Sequence, residues 1–187
     1  MKIIIDHIAL VVKSVDKSIL KLKNLNFTIG DVHEFPSEGT KEVYISKGQE
    51  YGKLLLMEPI SDGPYENALQ KRGVGLHHIA VNVQSIGKYL ETLNGSGWYL
   101  HMHSYKSLKY KTVWLAGANT PLLIEVHEIS KMPNVADSEL FISKVELNSN
   151  INDELLNSLQ IKDITKLNSS EMTFQIENKA YKLSELI

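Results

Sequence analysis

Cysteine is absent from this chain. Its absence removes disulfides, iron–sulfur clusters, thiolate zinc sites and cysteine nucleophiles in one step, so any bound metal must rest on His, Asp or Glu. A surplus of positive charge is missing as well. Lys and Arg number 20 against 22 Asp and Glu, a net charge of −2, so no global positive field exists to hold nucleic acid. Long apolar runs are lacking: the run in residues 1–6 is too short for a signal peptide or a membrane span and reads as the start of a buried strand. These absences lead to the expectation of a cytoplasmic protein that engages neither nucleic acid nor membrane. What is there is ordinary for a globular chain: 187 residues, 43% hydrophobic and 22% charged, enough for one sizeable domain or two small ones sharing a core.

The organising fact is an internal repeat. Asp6-His7-Ile8-Ala9-Leu10-Val11-Val12-Lys13-Ser14-Val15 aligns with His77-His78-Ile79-Ala80-Val81-Asn82-Val83-Gln84-Ser85-Ile86, at an offset of 78 − 7 = 71 residues. Each copy opens with an alternating, β-branched run that predicts a strand. A serine follows, Ser14 or Ser85, placed to cap a helix. Val15, Ile19, Leu22 and Leu25 then fall at helical spacing in the first copy, and Ile86, Leu90 and Leu93 in the second. Further strands are expected at residues 42–46 and 53–57, and at 111–115 and 121–126. Between the copies, Asp62-Gly63-Pro64 predicts a turn and residues 65–71 a short helix.

Side chains alternate along a strand, so His7 and Ala9 share one face while Ile8 and Leu10 share the other and pack on the helix. The same parity groups His78, Ala80 and Asn82, and on the last strand Glu125 with Leu123 and His127. Two histidines at equivalent repeat positions, and a carboxylate on the same concave face, are costly to bury without a partner. They are read as a metal site of His7, His78 and Glu125, with a hydrogen-bonded His–Glu–His cluster as the metal-free alternative. By parity His77 faces the helix side. His33, His101 and His103 fall in or near loops and read as solvated; His127 is also read as an ordinary, non-functional histidine, with support of the ligands as its alternative because it shares the face of Glu125.

The tail, residues 131–187, has a different grammar. Met132-Pro133-Asn134 reads as a linker. Residues 141–147 predict a strand, Ser149 or Asn150 caps a helix running through Leu159, and residues 172–176 and 181–183 form a hairpin around Asn178-Lys179. The order β-α-β-β matches a degenerate third module without the histidine.

Taken together, the two histidine strands, Glu58-Pro59-Ile60-Ser61, Lys71-Arg72-Gly73-Val74-Gly75 and Leu123-Ile124-Glu125 resemble the vicinal-oxygen-chelate, or glyoxalase-like, superfamily, and within it most resemble the methylmalonyl-CoA epimerases. The resemblance covers residues 1–130. It implies an α+β fold in which two βαβββ modules, about 1–60 and 74–130, form one cupped eight-stranded sheet, with residues 131–187 as a small C-terminal extension. It implies one divalent metal ion (Zn, Co, Mn, Ni or Fe) on His7, His78 and Glu125. The family's fourth ligand, counted back from Pro59, falls on Leu55, which cannot ligate. The loop Glu34-Phe35-Pro36-Ser37-Glu38-Gly39 corresponds to the family's base-bearing loop, with Ser37 on the catalytic position and Glu38 beside it. Glu38 and Glu125 are therefore the expected catalytic carboxylates. The family's glycine-rich turn is replaced by Lys and Tyr over residues 104–111.

The implied activity is that of an isomerase or lyase that removes a proton next to a metal-polarised carbonyl of a small-molecule substrate, an acyl-CoA thioester in the epimerases. Two alternatives use the same residues. Three ligands with open positions suit a non-haem iron dioxygenase or a thiol transferase of the same superfamily. A chain without the fourth ligand also suits a protein that binds a small molecule without changing it. The sequence leaves open whether the tail covers the cup, makes a homodimer contact or binds a partner.

Overall fold

A computed structural model describes residues 1–136, 139–147, 151–167, 169–177 and 179–187. The first module runs β1 (Ile4–Val11), α1 (Val15–Lys23), β2 (Thr28–Ile29), β3 (His33–Phe35), β4 (Thr40–Ser46) and β5 (Lys53–Pro59). Helix α2 (Pro64–Arg72) leads to the second module: β6 (Gly75–Val83), α3 (Ile86–Thr92), β7 (Trp98–Leu100), α4 (Ser104–Ser107), β8 (Thr112–Gly117) and β9 (Leu123–Glu128). One sheet carries all of these strands in the order β2-β4-β5-β1-β6-β9-β8-β7, with β3 also on β4.

The repeat seen in the sequence is a pseudo-two-fold in the sheet. β1 and β6 pair antiparallel at its centre, with Ile8 opposite Ile79, His7 opposite Ala80 and Ala9 opposite His78. β5 lies parallel to β1 as β9 lies parallel to β6. The helix starts repeat too. Ser14 accepts from Lys17 N and Ser85 from Lys88 N. Glu58 and Glu128, at the ends of β5 and β9, accept from Val15 N and Ile86 N. A carboxylate at a helix N-terminus satisfies an orphan donor and complements the helix dipole.

The sheet has nine strands where eight are expected. In the first module the strand preceding β4 is broken into β2 and β3, both hydrogen-bonded to β4. Gly30 sits at the break and its N–H bonds Tyr44 O at 2.9 Å. A Cβ there would lie 3.0 Å from that same oxygen, so any side chain would crowd the close approach that glycine allows.

One face of the sheet is the core. Ile8 and Leu10 of β1, Val12 just after it and Ile79, Val81 and Val83 of β6 cluster with Leu22 of α1, Tyr89 of α3 and the tail's Phe141, Val145, Leu147, Phe174 and Ile176. The tail contributes a second sheet, ordered β11-β10-β12-β13: β10 (Ile142–Leu147), β11 (Ile164–Lys166), β12 (Thr173–Ile176) and β13 (Lys179–Lys182), with α5 (Asp153–Ser158) and α6 (Leu183–Leu186). Beyond the expected β-α-β-β it adds β11 and α6, both too short to show periodicity in sequence. Asn152 caps α5, accepting from Glu154 N; the expected caps Ser149 and Asn150, and Asn178 of the expected hairpin turn, lie outside the described residues.

The tail and the main sheet meet through backbone as well as side chains. Gly52 N donates to Ile5 O, while Gly52 O and Tyr51 O accept from Ile142 N and Phe141 N. A Cβ on Gly52 would lie 2.8 Å from Ile142 O, so no side chain fits at this seam. The buried Tyr89 O–H and Trp98 indole N–H find their acceptors in the tail, at Leu159 O and Leu155 O. Among the described residues no helix is long and apolar enough to cross a membrane.

Candidate metal centre

The opposite face of the sheet is concave and carries a cleft of about 530 Å³. His7, His78 and Glu125 all line it, together with Asp6, Glu38, Glu42, Tyr44, Tyr65, Asn82, Trp114 and His127. The two imidazoles point Nε2 at Nε2, 3.2 Å apart. Glu125 Oε2 lies 3.6 Å from His78 Nε2 and 3.9 Å from His7 Nε2. One donor atom from each residue falls within 4.8 Å of the others.

Two β-bulges produce this convergence. In the β1–β6 ladder Ile5 faces Val81 and His7 faces Ala80, so Asp6 is an extra residue; Ala9 faces His78 and Leu10 faces Leu76, so His77 is another. Each bulged residue turns back on the histidine that follows it. Asp6 Oδ2 takes the Nδ1–H of His7 at 2.8 Å, and its Oδ1 accepts from Asn82 Nδ2 at 2.8 Å. His77 Nδ1 lies 2.8 Å from His78 Nδ1. In both halves Nδ1 is held by the preceding residue and Nε2 is left to face the cleft, an arrangement that fixes ring orientation in metal-binding histidines. The parity rule put His77 on the helix side. The bulge breaks the alternation, and the His77 ring instead packs 4.7 Å from Tyr65 of α2, a residue of the cleft wall.

Burial keeps His77 and His78 neutral, and hydrogen bonds keep Asp6 charged. Burial holds His78 well below the ordinary histidine value, and burial with the Arg72 charge pushes His77 down to about 4. Burial works to raise Asp6, but the hydrogen bonds from His7 and Asn82 outweigh it and hold the group below the usual carboxylate range. The ionised Asp6 engages His7 at Nδ1, so Nε2 is the ring atom left facing the cleft. Burial works to lower His127, but the contact with Glu125 Oε2 at 3.4 Å prevails and raises it. The other nitrogen of His127 meets Thr112 Oγ1 at 3.1 Å. Tyr44 meets the His7 ring edge-on at 5.5 Å and Trp114 the His78 ring at 4.9 Å, which leaves each imidazole little freedom to rotate.

The donor set fits a divalent ion. With M–N distances of roughly 2.0–2.1 Å, two nitrogens 3.2 Å apart subtend about 100° at the ion, between octahedral and tetrahedral values. The position that mirrors Glu125 is fixed by register: Glu125 pairs with Ala80 as Leu55 pairs with Ala9. Leu55 clusters there with Ala9 and Met57, and Tyr65 packs on them, so this side of the cleft is apolar.

The two carboxylates at the first-module rim differ. Glu38 is exposed, in the tight turn where its N–H bonds Phe35 O. Glu42, on β4, is half-buried and accepts from Thr40 Oγ1 at 2.8 Å. Burial raises the Glu42 carboxyl above its ordinary value, the Thr40 hydroxyl offsets part of this, and the Glu38 charge adds to the rise. Glu42 was visible in the sequence through strand parity, because it alternates with the buried Val43 and Ile45 and shares the cleft face with Tyr44. His33, His101 and His103 are exposed, as expected.

Comparison with known proteins agrees with the geometry. Residues 6–111 match the family model of the glyoxalase/bleomycin resistance protein/dioxygenase superfamily. Among curated proteins none matches. A hypothetical protein from Bacillus halodurans shares the fold at a TM-score of 0.56 and 24% identity, over 72% of this chain and 100% of its own. The methylmalonyl-CoA epimerase of Mycobacterium tuberculosis does so at 0.51 and 18%, over 67% of this chain and 87% of its own. A Streptomyces coelicolor methylmalonyl-CoA epimerase in complex with 2-nitronate-propionyl-CoA gives 0.52 and 15%, over 67% and 98%. At these identities the structures speak for the fold, and the family model covers more than half of the sequence. The chain belongs to the glyoxalase/bleomycin resistance protein/dioxygenase superfamily.

Proposed function

We propose that this protein is a metal-dependent isomerase or lyase that moves a proton at the carbon next to the carbonyl of an acyl thioester or other 1,3-dicarbonyl compound. The observation that carries this reading is the convergence of His7 Nε2, His78 Nε2 and Glu125 in a cleft that also holds the half-buried carboxyl of Glu42. A divalent ion on those three ligands supplies Lewis-acid polarisation of the substrate carbonyl.

The rest is work for the chain's own groups. Glu42 takes the α-proton as its carboxylate; its raised pKa makes it a better base than an ordinary solvent-exposed glutamate. Glu38, also on the cleft, is the second candidate for that role. Glu125 faces the site from the other module as a ligand, and the proton returned to the opposite side of the carbon comes from the imidazolium of His127, which Glu125 holds at 3.4 Å and whose pKa it raises. Asp6 and His77 hold the two ligand rings through Nδ1, and Trp114 and Tyr44 wall them in. Superfamily neighbours solved with CoA compounds support the thioester class. Residues 1–130 form the catalytic unit in this reading and 131–187 its extension.

One observation favours a second reading. Leu55 leaves three ligands where a fourth would complete the set, and open positions suit a dioxygenase or thiol transferase. Solvent-exchange NMR decides between them. The metal-loaded protein in D₂O, given a panel of acyl thioesters including methylmalonyl-CoA, should place deuterium at the α-carbon. No exchange with any of them, together with iron as the ion recovered in elemental analysis, would overturn the isomerase reading in favour of the oxygenase.

A further inference from the structure

Among the described residues twelve large hydrophobic side chains are exposed, and six of them lie between residues 99 and 110: Tyr99, Leu100, Met102, Tyr105, Leu108 and Tyr110. Such a concentration marks a contact surface. The same segment is basic. From Thr92 to Ile124 the chain has no Asp or Glu, while Lys106, Lys109 and Lys111 and two histidines fall between residues 101 and 111. In a chain of net charge −2 this is a local reversal of sign.

The segment is anchored, and it is continuous with the cleft. Ser104 is buried, and its hydroxyl accepts from Trp114 N at 2.8 Å and donates to Trp114 O at 2.9 Å, which fixes α4 on β8. The Trp114 ring touches His78 on one side and lies 6.4 Å from His103 on the other. Tyr110 and Lys111 line the cleft itself. Lys111 has a φ of +57°, a left-handed conformation that normally selects glycine or asparagine. Its ammonium group pairs with Glu128 Oε1 at 3.7 Å at the mouth of the cleft, which leaves Lys106 and Lys109 as the outward cations of the rim.

We propose that residues 99–111 bind the nucleotide end of an acyl thioester carried on coenzyme A, with phosphates on Lys106 and Lys109 and the adenine stacked on Tyr105 or Tyr110. This rests on the thioester reading above and adds its recognition element. Cations and aromatic faces interleaved on an anchored rim are the complement of a phosphorylated adenosine, whose base has a π-face and whose phosphates accept from ammonium groups. A purely apolar partner would leave Lys106 and Lys109 to be desolvated, and an anionic surface without rings would leave the tyrosines unused.

The test uses calorimetric titration of the full-length protein with adenosine 3′,5′-bisphosphate, coenzyme A and pantetheine. The bisphosphate should bind and compete with coenzyme A. In the exposed double variant Lys106→Glu/Lys109→Glu both nucleotides should lose about tenfold in affinity relative to pantetheine, since two exposed, solvent-screened phosphate contacts are reversed in sign. His7→Ala should leave bisphosphate binding unchanged, so a failure of the proposed chemistry is distinguishable from a failure of this site. Equal binding of coenzyme A and pantetheine by the native protein would overturn the proposal. So would sedimentation showing a dimer that Tyr105→Ala/Leu108→Ala dissociates, because the patch would then be covered by a second copy.

Discussion

Loading the candidate site with metal should stabilise the fold by an amount the geometry bounds, and losing one ligand should erase most of it. The three donors are already within 4.8 Å of one another and both rings are held through Nδ1, so binding requires little reorganisation. An ion present at a hundredfold excess over its dissociation constant stabilises the native state by about 2.7 kcal/mol. For a chain of this size each kcal/mol raises Tm by roughly 2–4 °C, so the expected rise is roughly 5–10 °C. His78→Ala removes a ligand, and affinity should fall beyond the roughly 10–100-fold typical of losing a supporting residue. At a hundredfold weaker binding the same ion concentration sits near the dissociation constant, and the rise shrinks to about 1 °C. Asp6→Asn should fall between the two. The assay is differential scanning calorimetry on chelator-treated protein, with and without Zn²⁺, Co²⁺, Mn²⁺, Ni²⁺ or Fe²⁺. Each variant is compared with its own metal-free form, so the packing lost with the ring cancels. The same Tm rise in native protein, His7→Ala and His78→Ala would refute the site.

Glu42→Gln should slow α-proton exchange by about 10²–10⁴-fold with metal affinity kept, and Glu38→Gln should do less; the reverse ranking would return the base to the rim. Because Glu42's pKa is raised and a base acts deprotonated, exchange should fall as pH drops through a value above that of an ordinary glutamate, and Glu42→Gln should abolish that limb of the pH–rate profile. Leu55→Glu places a carboxylate among Ala9, Met57 and Tyr65; without metal it should destabilise the protein, and with metal it should restore stability and tighten binding, whereas equal destabilisation in both states would show that position 55 does not reach the ion. Ending the chain at Ile129 exposes the apolar surface that packs on Phe141 and Phe174 and strands the Tyr89 and Trp98 donors, so a soluble, equally stable product would contradict the packing described above.

Much of this was legible in the residues, and the exceptions share a cause. The repeat placed both histidine strands, both serine caps and the concave face, because those depend on local period and spacing. Parity failed for His77, since a bulge is set by how two strands meet and leaves no mark on either strand alone. The break between β2 and β3 depends on Gly30 approaching Tyr44 across the sheet. Glu42 was legible by alternation against Val43 and Ile45, yet reading the loop for its base drew attention to Glu38 instead. Strand β11 spans three residues, too few for any pattern to rise above its surroundings.

The seam at Gly52 has a bearing on how the molecule opens. Its amide is bonded to β1 and its carbonyl to Ile142 at the start of β10, so neither sheet can fray there while the other stays closed. Amide protons of Gly52 and Ile142 should therefore exchange with solvent at one common free energy, equal to that of complete unfolding, and deuterium should reach both together. The strand that carries His7 would be shielded by the same cooperative unit, so chelation should change how often the whole molecule opens and leave the order of opening as it was.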